Sequence, residues 1–201
     1  MLLLAPLFVV IAIAIKLSSR GPVLFRQERL GRQFMPFTFY KFRSMYAGSD
    51  QDVHKAYVTR LIGGQPETER ASGNEMEADE KTRIFKITRD SRVTPVGRLL
   101  RRTSLDELPQ FWNVLRGDMS LVGPRPCMQY ELEQYADWHA LRLIDVKPGM
   151  TGLWQVTARN TVGFDEMVKL DLAYVNQRSL WLDIKILIRT PMAVVSGLGA
   201  C

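Results

Sequence analysis

The sequence predicts an α/β (α+β) chain, helix-rich with a small sheet, and three observations carry that reading. "GPVLFRQERLG" and "FMPFTFYKFRSM" are short runs in which apolar and polar residues partly alternate about the turn residue Gly31, as in paired strands. Several later segments carry helical apolar spacing. The first fifteen residues, "MLLLAPLFVVIAIAI", are free of charge and end at Lys16. With 201 residues the chain is long enough to bury a core, and its ordinary apolar content indicates neither a disordered nor a polytopic membrane protein.

The N-terminal run is shorter than the roughly 20 apolar residues a spanning helix needs, and Pro6 interrupts it. It is apolar on every side and abuts a basic zone. Lys16, Arg20, Arg26, Arg29, Arg32, Lys41 and Arg43 stand there against the single acid Glu28. Cations beside an apolar run suit a segment dipped into a bilayer with its charges at the headgroups. A proline that bends the axis favours a helix that turns back, so the expectation is a monotopic, re-entrant element over residues 1–17. The aromatics are not interleaved with the cations in an RNA-binding pattern, and nucleic acid is not an expected partner. Cys127 and Cys201 form no metal spacing and no disulfide framework.

After the two strands, residues 47–82 are polar and acid-rich and read as a long loop with one helix near 52–61. "VTPVGRLLRRTS" predicts a short helix opening at Pro95. Leu108, Phe111, Trp112 and Leu115, at i, i+3, i+4 and i+7, predict the apolar face of a second helix, with Pro109 in its first turn and Gly117 at its stop. Residues 127–143 read as helical, "KPGMTG" as a turn and "LWQVT" as a short strand. Phe164–Asn176 and 180–189 read as two more helices. The last has almost no polar face, as suits either a buried helix or one lying on a membrane, with Lys185 and Arg189 snorkelling.

The chemistry concentrates in "RRTSLDELPQFWNVLRGDMSLVGPRP". Two readings of its carboxylates stand. Ser104 and Glu107 match a capping box, in which case Asp106 and Glu107 are ordinary charge at a helix start. If Pro109 is instead the first helical residue, both carboxylates sit before the helix mouth and are free to face a site. A carboxylate there can attack a phosphoryl group once cations have neutralised the phosphate, Mg²⁺ being the usual one, held by one or two carboxylates and phosphate oxygens. Arginine supplies matching pairs of donors, and in "GPRP" the prolines stiffen the backbone around Arg125. Arg101, Arg102, Lys41, Arg43 and Arg159 are further cations, each ordinary alone.

"FRQERLGRQFMPFTFYKFRSM", "RRTSLDELPQFWNVLRGDMSLVGPRP", "KPGMTGLWQVTARN" and "SLWLDIKILIRT" occur here in the order in which similar blocks occur in the bacterial monotopic phosphoglycosyl transferases. The chain resembles that family over nearly its whole length. The resemblance implies transfer of a sugar-1-phosphate from a UDP-sugar to a polyprenyl (undecaprenyl) phosphate, with release of UMP. It implies Asp106 as nucleophile and Mg²⁺ contact, Glu107 as its dyad partner, and Arg125 as a phosphate contact. Arg101 and Arg159 are implied as substrate contacts, with Lys41 and Arg43 as weaker candidates. It further implies a re-entrant helix broken at Ala5-Pro6, interfacial amphipathic helices, and a place on the cytoplasmic face of the bacterial inner membrane. A catalytic domain over 18–201 would carry a long polar insertion at about 46–90. Only four residues precede Ala5-Pro6, where the family has a half-helix, so the chain is expected to be a trimmed piece resembling the catalytic domain of larger members. A homo-oligomer is left open. Two rivals are a non-catalytic membrane-surface adaptor with a structural capped helix at Ser104–Glu107, and a soluble phosphohydrolase using Asp106.

Overall fold

The first element is an apolar helix lying across a hairpin. In the computed structural model, which describes residues 5–49, 55, 58, 59, 61–63, 90–158 and 162–195, helix α1 spans Ala5–Ser18. Ile11 and Ile15, one turn apart, are buried with Phe42 and Leu100, while Leu7, Val9, Val10, Ile13 and Leu17 face outward. No helix among the described residues is long and apolar enough to cross a membrane.

Strands β1 (Leu24–Leu30) and β2 (Pro36–Phe42) form the predicted antiparallel hairpin, in register Leu24 to Phe42 and Leu30 to Pro36. The turn is made by Gln33 and Phe34, both with positive φ, rather than by Gly31. Because side chains alternate, Leu24 and Phe42 face α1, while Gln27, Arg29, Phe39 and Lys41 share the opposite face. Of the helix expected near 52–61, only part lies within the described residues, and there Lys55, Val58, Thr59 and Leu61 are helical.

Helix α2 (Pro95–Arg102) opens at proline, as its sequence predicts. Thr94 caps it, its side chain accepting from the Gly97 N–H at 2.9 Å. A 3₁₀ turn, Leu105–Glu107, leads to α3 (Gln110–Arg116), which stops at Gly117 with φ 83°. The apolar face predicted for α3 is inverted: Trp112 and Leu115 point outward, and Gln110 and Asn113 are its buried residues. Asn113 explains the inversion. Its Oδ1 accepts from the Tyr40 N–H at 3.2 Å and its Nδ2 donates to the Thr38 carbonyl at 2.7 Å, so one side-chain amide pairs with the free edge of β2.

A second, parallel pair joins β3 (Ser120–Val122) to β4 (Gly149–Thr151). Residues 127–143 are two single-turn helices, α4 (Gln129–Leu132) and α5 (Asp137–Ala140), followed by a 3₁₀ turn at Leu141–Leu143. Two expectations are exchanged here. "KPGMTG" holds a strand, and "LWQVT" is helix α6 (Leu153–Thr157), with Trp154 buried against Phe164 and Val168. Helix α7 (Phe164–Gln177) and helix α8 (Leu180–Val195) agree with the sequence, although α8 runs on through Pro191. Of the α8 side chains Ile186 is buried, while Leu180, Trp181, Ile188 and Met192 are exposed, so α8 is not a core helix.

Ser44 ties the hairpin to α2, its carbonyl accepting from Thr94 N–H and its hydroxyl from Arg101 Nε. A Cβ on Gly97 would stand 1.9 Å from that carbonyl oxygen. Gly97→Ala is therefore expected to cost about 1–3 kcal/mol, read as a lower midpoint in chemical denaturation with the slope unchanged.

Candidate active site

Leu105 and Leu108 bracket the two carboxylates and pack into the cluster formed by α1, β2 and α2. With both leucines turned inward, Asp106 and Glu107 come off the other side of the 3₁₀ turn toward the hairpin face that carries Lys41. Lys41 Nζ bonds Glu107 Oε1 at 2.7 Å and lies 3.8 Å from Asp106 Oδ2. One ammonium thus serves two adjacent acids.

The capping-box reading of this stretch is corrected by the backbone. Ser104 has φ 55° and ψ 18°, in the left-handed region, and its side chain makes no capping bond. The chain reverses there between α2 and the turn, a conformation that costs a non-glycine residue free energy and that aims Asp106. The capped helix on which an adaptor role rested is absent. Pro109 is the N-cap of α3, one position before the first helical residue that the alternative reading made it, and both carboxylates still precede the helix.

Asp106 is 6% exposed, and burial is the main force pushing its carboxyl above the usual range. Lys41 pulls it back, Glu107 adds to the rise, and the Arg101 charge lowers it slightly. Burial also works against the Glu107 charge, but Lys41 overcomes it, aided by Arg125 and Arg29, and holds that carboxyl below its ordinary value. The pair is thus split by environment into one stable anion and one carboxylate whose charge is costly.

The other expected cations separate into two groups. Arg125 is exposed and acts electrostatically on Glu107. Its loop is held from below: Gly123 sits so close to Lys147 and Gly149 that a Cβ would meet backbone at 2.5 Å. Arg101 reaches Asp106 by its charge while its Nε is committed to Ser44. Arg43 is corrected. It is buried, and its guanidinium donates to the Ser19 and Arg20 carbonyls at 2.7 and 2.8 Å, which commits it to the C-terminal end of α1. Arg159 lies outside the described residues.

One residue beside this group escaped the sequence reading. Arg29 is buried on the same hairpin face as Lys41, with its guanidinium 4.3 Å from the centre of the Phe39 ring. Strand alternation carried from Lys41 across the hairpin register was the signal that places it there.

Among the described residues no three His, Cys, Asp or Glu side chains gather as a closed metal cage. Two adjacent carboxylates, one already paired with Lys41, instead suit an open oxygen site that a phosphate and water would complete, the coordination Mg²⁺ favours. A cavity of about 500 Å³ lined by Trp138, Lys169, Leu172 and Asn176 shares no residue with this group.

A buried carboxylate beside an acid anchored on Lys41, with Arg101, Arg125 and Arg29 acting on the pair, marks this turn as the candidate functional site. The family model for bacterial sugar transferases matches residues 1–197, and the chain belongs to that family, whose class is that of a transferase. It is 47% identical over 180 residues to the undecaprenyl-phosphate galactose phosphotransferase of Salmonella typhimurium, covering 90% of this chain and 35% of that protein. To the galactosyl transferase CpsE of Streptococcus agalactiae serotype III it is 44% identical over 181 residues, covering 90% and 36%. To the exopolysaccharide production protein ExoY of Rhizobium meliloti it is 38% identical over 200 residues, covering 100% and 82%. The chain spans little more than a third of the length of the first two relatives.

The Ser104 geometry makes a prediction of sign. Ser104→Gly relieves a left-handed residue and is expected to leave stability unchanged or raise it by up to about 1 kcal/mol, whereas loss of a cap would lower it. Urea denaturation of the two proteins decides.

Proposed function

We propose that this chain transfers a sugar-1-phosphate from a nucleoside diphosphate sugar, a UDP-sugar, to polyprenyl phosphate through a covalent intermediate on Asp106. The observation that carries the reading is the asymmetric carboxylate pair: Asp106 is buried and raised, and Glu107 is pinned 2.7 Å from Lys41. A carboxylate destabilised by burial is a better nucleophile than one solvated or locked in an ion pair. The likeness to the undecaprenyl-phosphate galactose phosphotransferase of Salmonella typhimurium supports the acceptor.

In the first step an Asp106 carboxylate oxygen bonds to the phosphorus that bears the sugar. The bond from that phosphorus to the bridging oxygen breaks, and UMP leaves with the electron pair. In the second step an oxygen of the lipid phosphate bonds to the same phosphorus, the bond to Asp106 breaks, and the free carboxylate returns. Lys41 holds Glu107 and limits the negative charge a substrate diphosphate would meet. Arg125, on its stiff loop, is suited to bind a non-transferred phosphate oxygen pair, and Arg101 adds charge on the Asp106 side. Mg²⁺, held by Asp106 with phosphate oxygens, would supply the remaining charge neutralisation.

The acceptor is a lipid, and the surface agrees with a bilayer partner. Helix α1 turns Val9, Val10, Ile13 and Leu17 outward, and α8 turns out Leu180, Trp181, Ile188 and Met192. Our reading is a chain resting on the cytoplasmic face of the bacterial inner membrane, where both substrates meet.

Asp106→Asn is expected to fold and to lose UMP release by about a thousandfold or more when assayed with Mg²⁺, undecaprenyl phosphate and UDP-galactose or UDP-glucose. Turnover retained in that variant would refute the assignment. The acid limb of kcat/KM is expected above the ordinary aspartate range, because the raised Asp106 must ionise to react. Lys41→Met removes a cation that favours the ionised form, so the limb should move to still higher pH. A limb that stays in place or moves down would argue against Asp106 as the ionising group.

A further inference from the structure

We propose that Arg29 is a positioning residue for the phosphate-binding loop: it holds the Arg125-Pro126 backbone through the Pro126 carbonyl and leaves its own charge only partly compensated, so that the diphosphate of the donor is drawn to Arg125. The proposal rests on the phosphoryl-transfer reading above. Arg29 Nη1 donates to the Pro126 carbonyl at 3.1 Å, a bond buried in the fold. One residue on, the Leu30 N–H donates to the Cys127 carbonyl at 2.8 Å. The end of β1 therefore grips the two residues that follow Arg125 with consecutive bonds, one from a side chain and one from the backbone. Gln27, on the same strand face, accepts from Arg29 Nε at 3.1 Å and from Nη2 at 3.0 Å, and the Phe39 ring lies beneath the guanidinium. With one face of its plane covered and three of its donor directions set, Arg29 has little freedom to move.

Its hydrogen bonds do not neutralise its charge. Gln27 and Pro126 offer neutral oxygens, and no carboxylate among the described residues lies within ion-pair distance of it. Buried charges are ordinarily paired, because an unpaired one loses hydration without compensation. Burial first, and the Arg125 charge second, bring the Arg29 guanidinium down to about 10, while Glu131 and Glu107 restore it only in part. Two arginines thus repel one another beside the carboxylate pair, and binding of an anion relieves both. Neutral partners alone do not set Arg29 apart, since buried Arg43 is likewise held by the Ser19 and Arg20 carbonyls at the end of α1; what distinguishes Arg29 is that its carbonyl partner belongs to the loop that carries Arg125.

The test compares Arg29→Gln and Arg29→Lys with the parent chain, following UMP release against UDP-sugar and, separately, against lipid phosphate. Arg29→Gln removes the charge and is expected to raise KM for the nucleotide sugar about tenfold, with a smaller change for the lipid. Arg29→Lys, which keeps the charge but not the fork, is expected to fall between. Equal thermal destabilisation of both variants with KM unchanged would mark Arg29 as structural only and overturn the proposal. If Arg29→Gln does not fold, Gln27→Leu removes the acceptor for Arg29 Nε and Nη2 while the charge and the Pro126 bond remain, and it is expected to raise the same KM about threefold or more. No change there or in Arg29→Lys would equally overturn it. The parent chain separates the two levels: absence of UMP release from it refutes the underlying reading, whereas parent activity with indifferent variants refutes only the role of Arg29.

Discussion

The side-chain amide of Asn113 is the joint on which the arrangement depends. It is fully buried, and it satisfies both a donor and an acceptor on the edge of β2. Without it that edge would carry unpaired backbone groups against α3, at a cost of roughly 1–3 kcal/mol for each buried group. The same helix begins just after Glu107, so pinning α3 to β2 also fixes where the carboxylate turn stands relative to Lys41, one residue beyond Tyr40. Leu105 and Leu108 complete the constraint from the other side by anchoring the turn in the apolar cluster. An acid pair on so short a turn would otherwise be free to rotate into solvent.

The second feature of the site is an imbalance of charge. Two carboxylates meet Lys41 directly and lie within the electrostatic reach of Arg101, Arg125 and Arg29. Positive charge exceeds negative before any ligand arrives, which favours entry of a diphosphate over entry of a neutral sugar. The imbalance also divides the labour between adjacent residues of one turn. Glu107 takes the close contact with Lys41 and becomes the stable anion. Asp106, deeper and 3.8 Å from the same nitrogen, is left with the costlier charge.

Much of this was legible in the sequence, and what was not has physical reasons. Alternation about Gly31 pointed to the hairpin, and Pro95 and Gly117 marked helix ends because their backbone restrictions act locally. The carboxylates and Arg125 stood out for the same reason, being chemistry confined to a short stretch. The face of α3 was misread because apolar spacing cannot report that a neighbouring strand edge requires an amide, and that need reverses which side of the helix is buried. "LWQVT" has strand-like residues, yet Trp154 finds its burial against α7 by helical geometry, where tertiary packing overrides propensity. Arg43 and Arg29 look alike in sequence, and only their partners, two carbonyls at a helix end against a proline carbonyl beside the site, distinguish them.

The distribution of exposed apolar side chains follows from the same need to satisfy polar groups. Asn113 and Gln110 turn inward on α3, and so Trp112 and Leu115 are left outside, half or more exposed. Single exposed apolar residues need no explanation, but here they recur on the helix that begins at the carboxylates, on α1, which packs against the leucines of that turn, and on α8. On the proposed reaction, whose acceptor would carry a long hydrocarbon tail, the apolar side chains of α1 and α3 would stand beside the cation-rich turn and receive the two halves of that substrate.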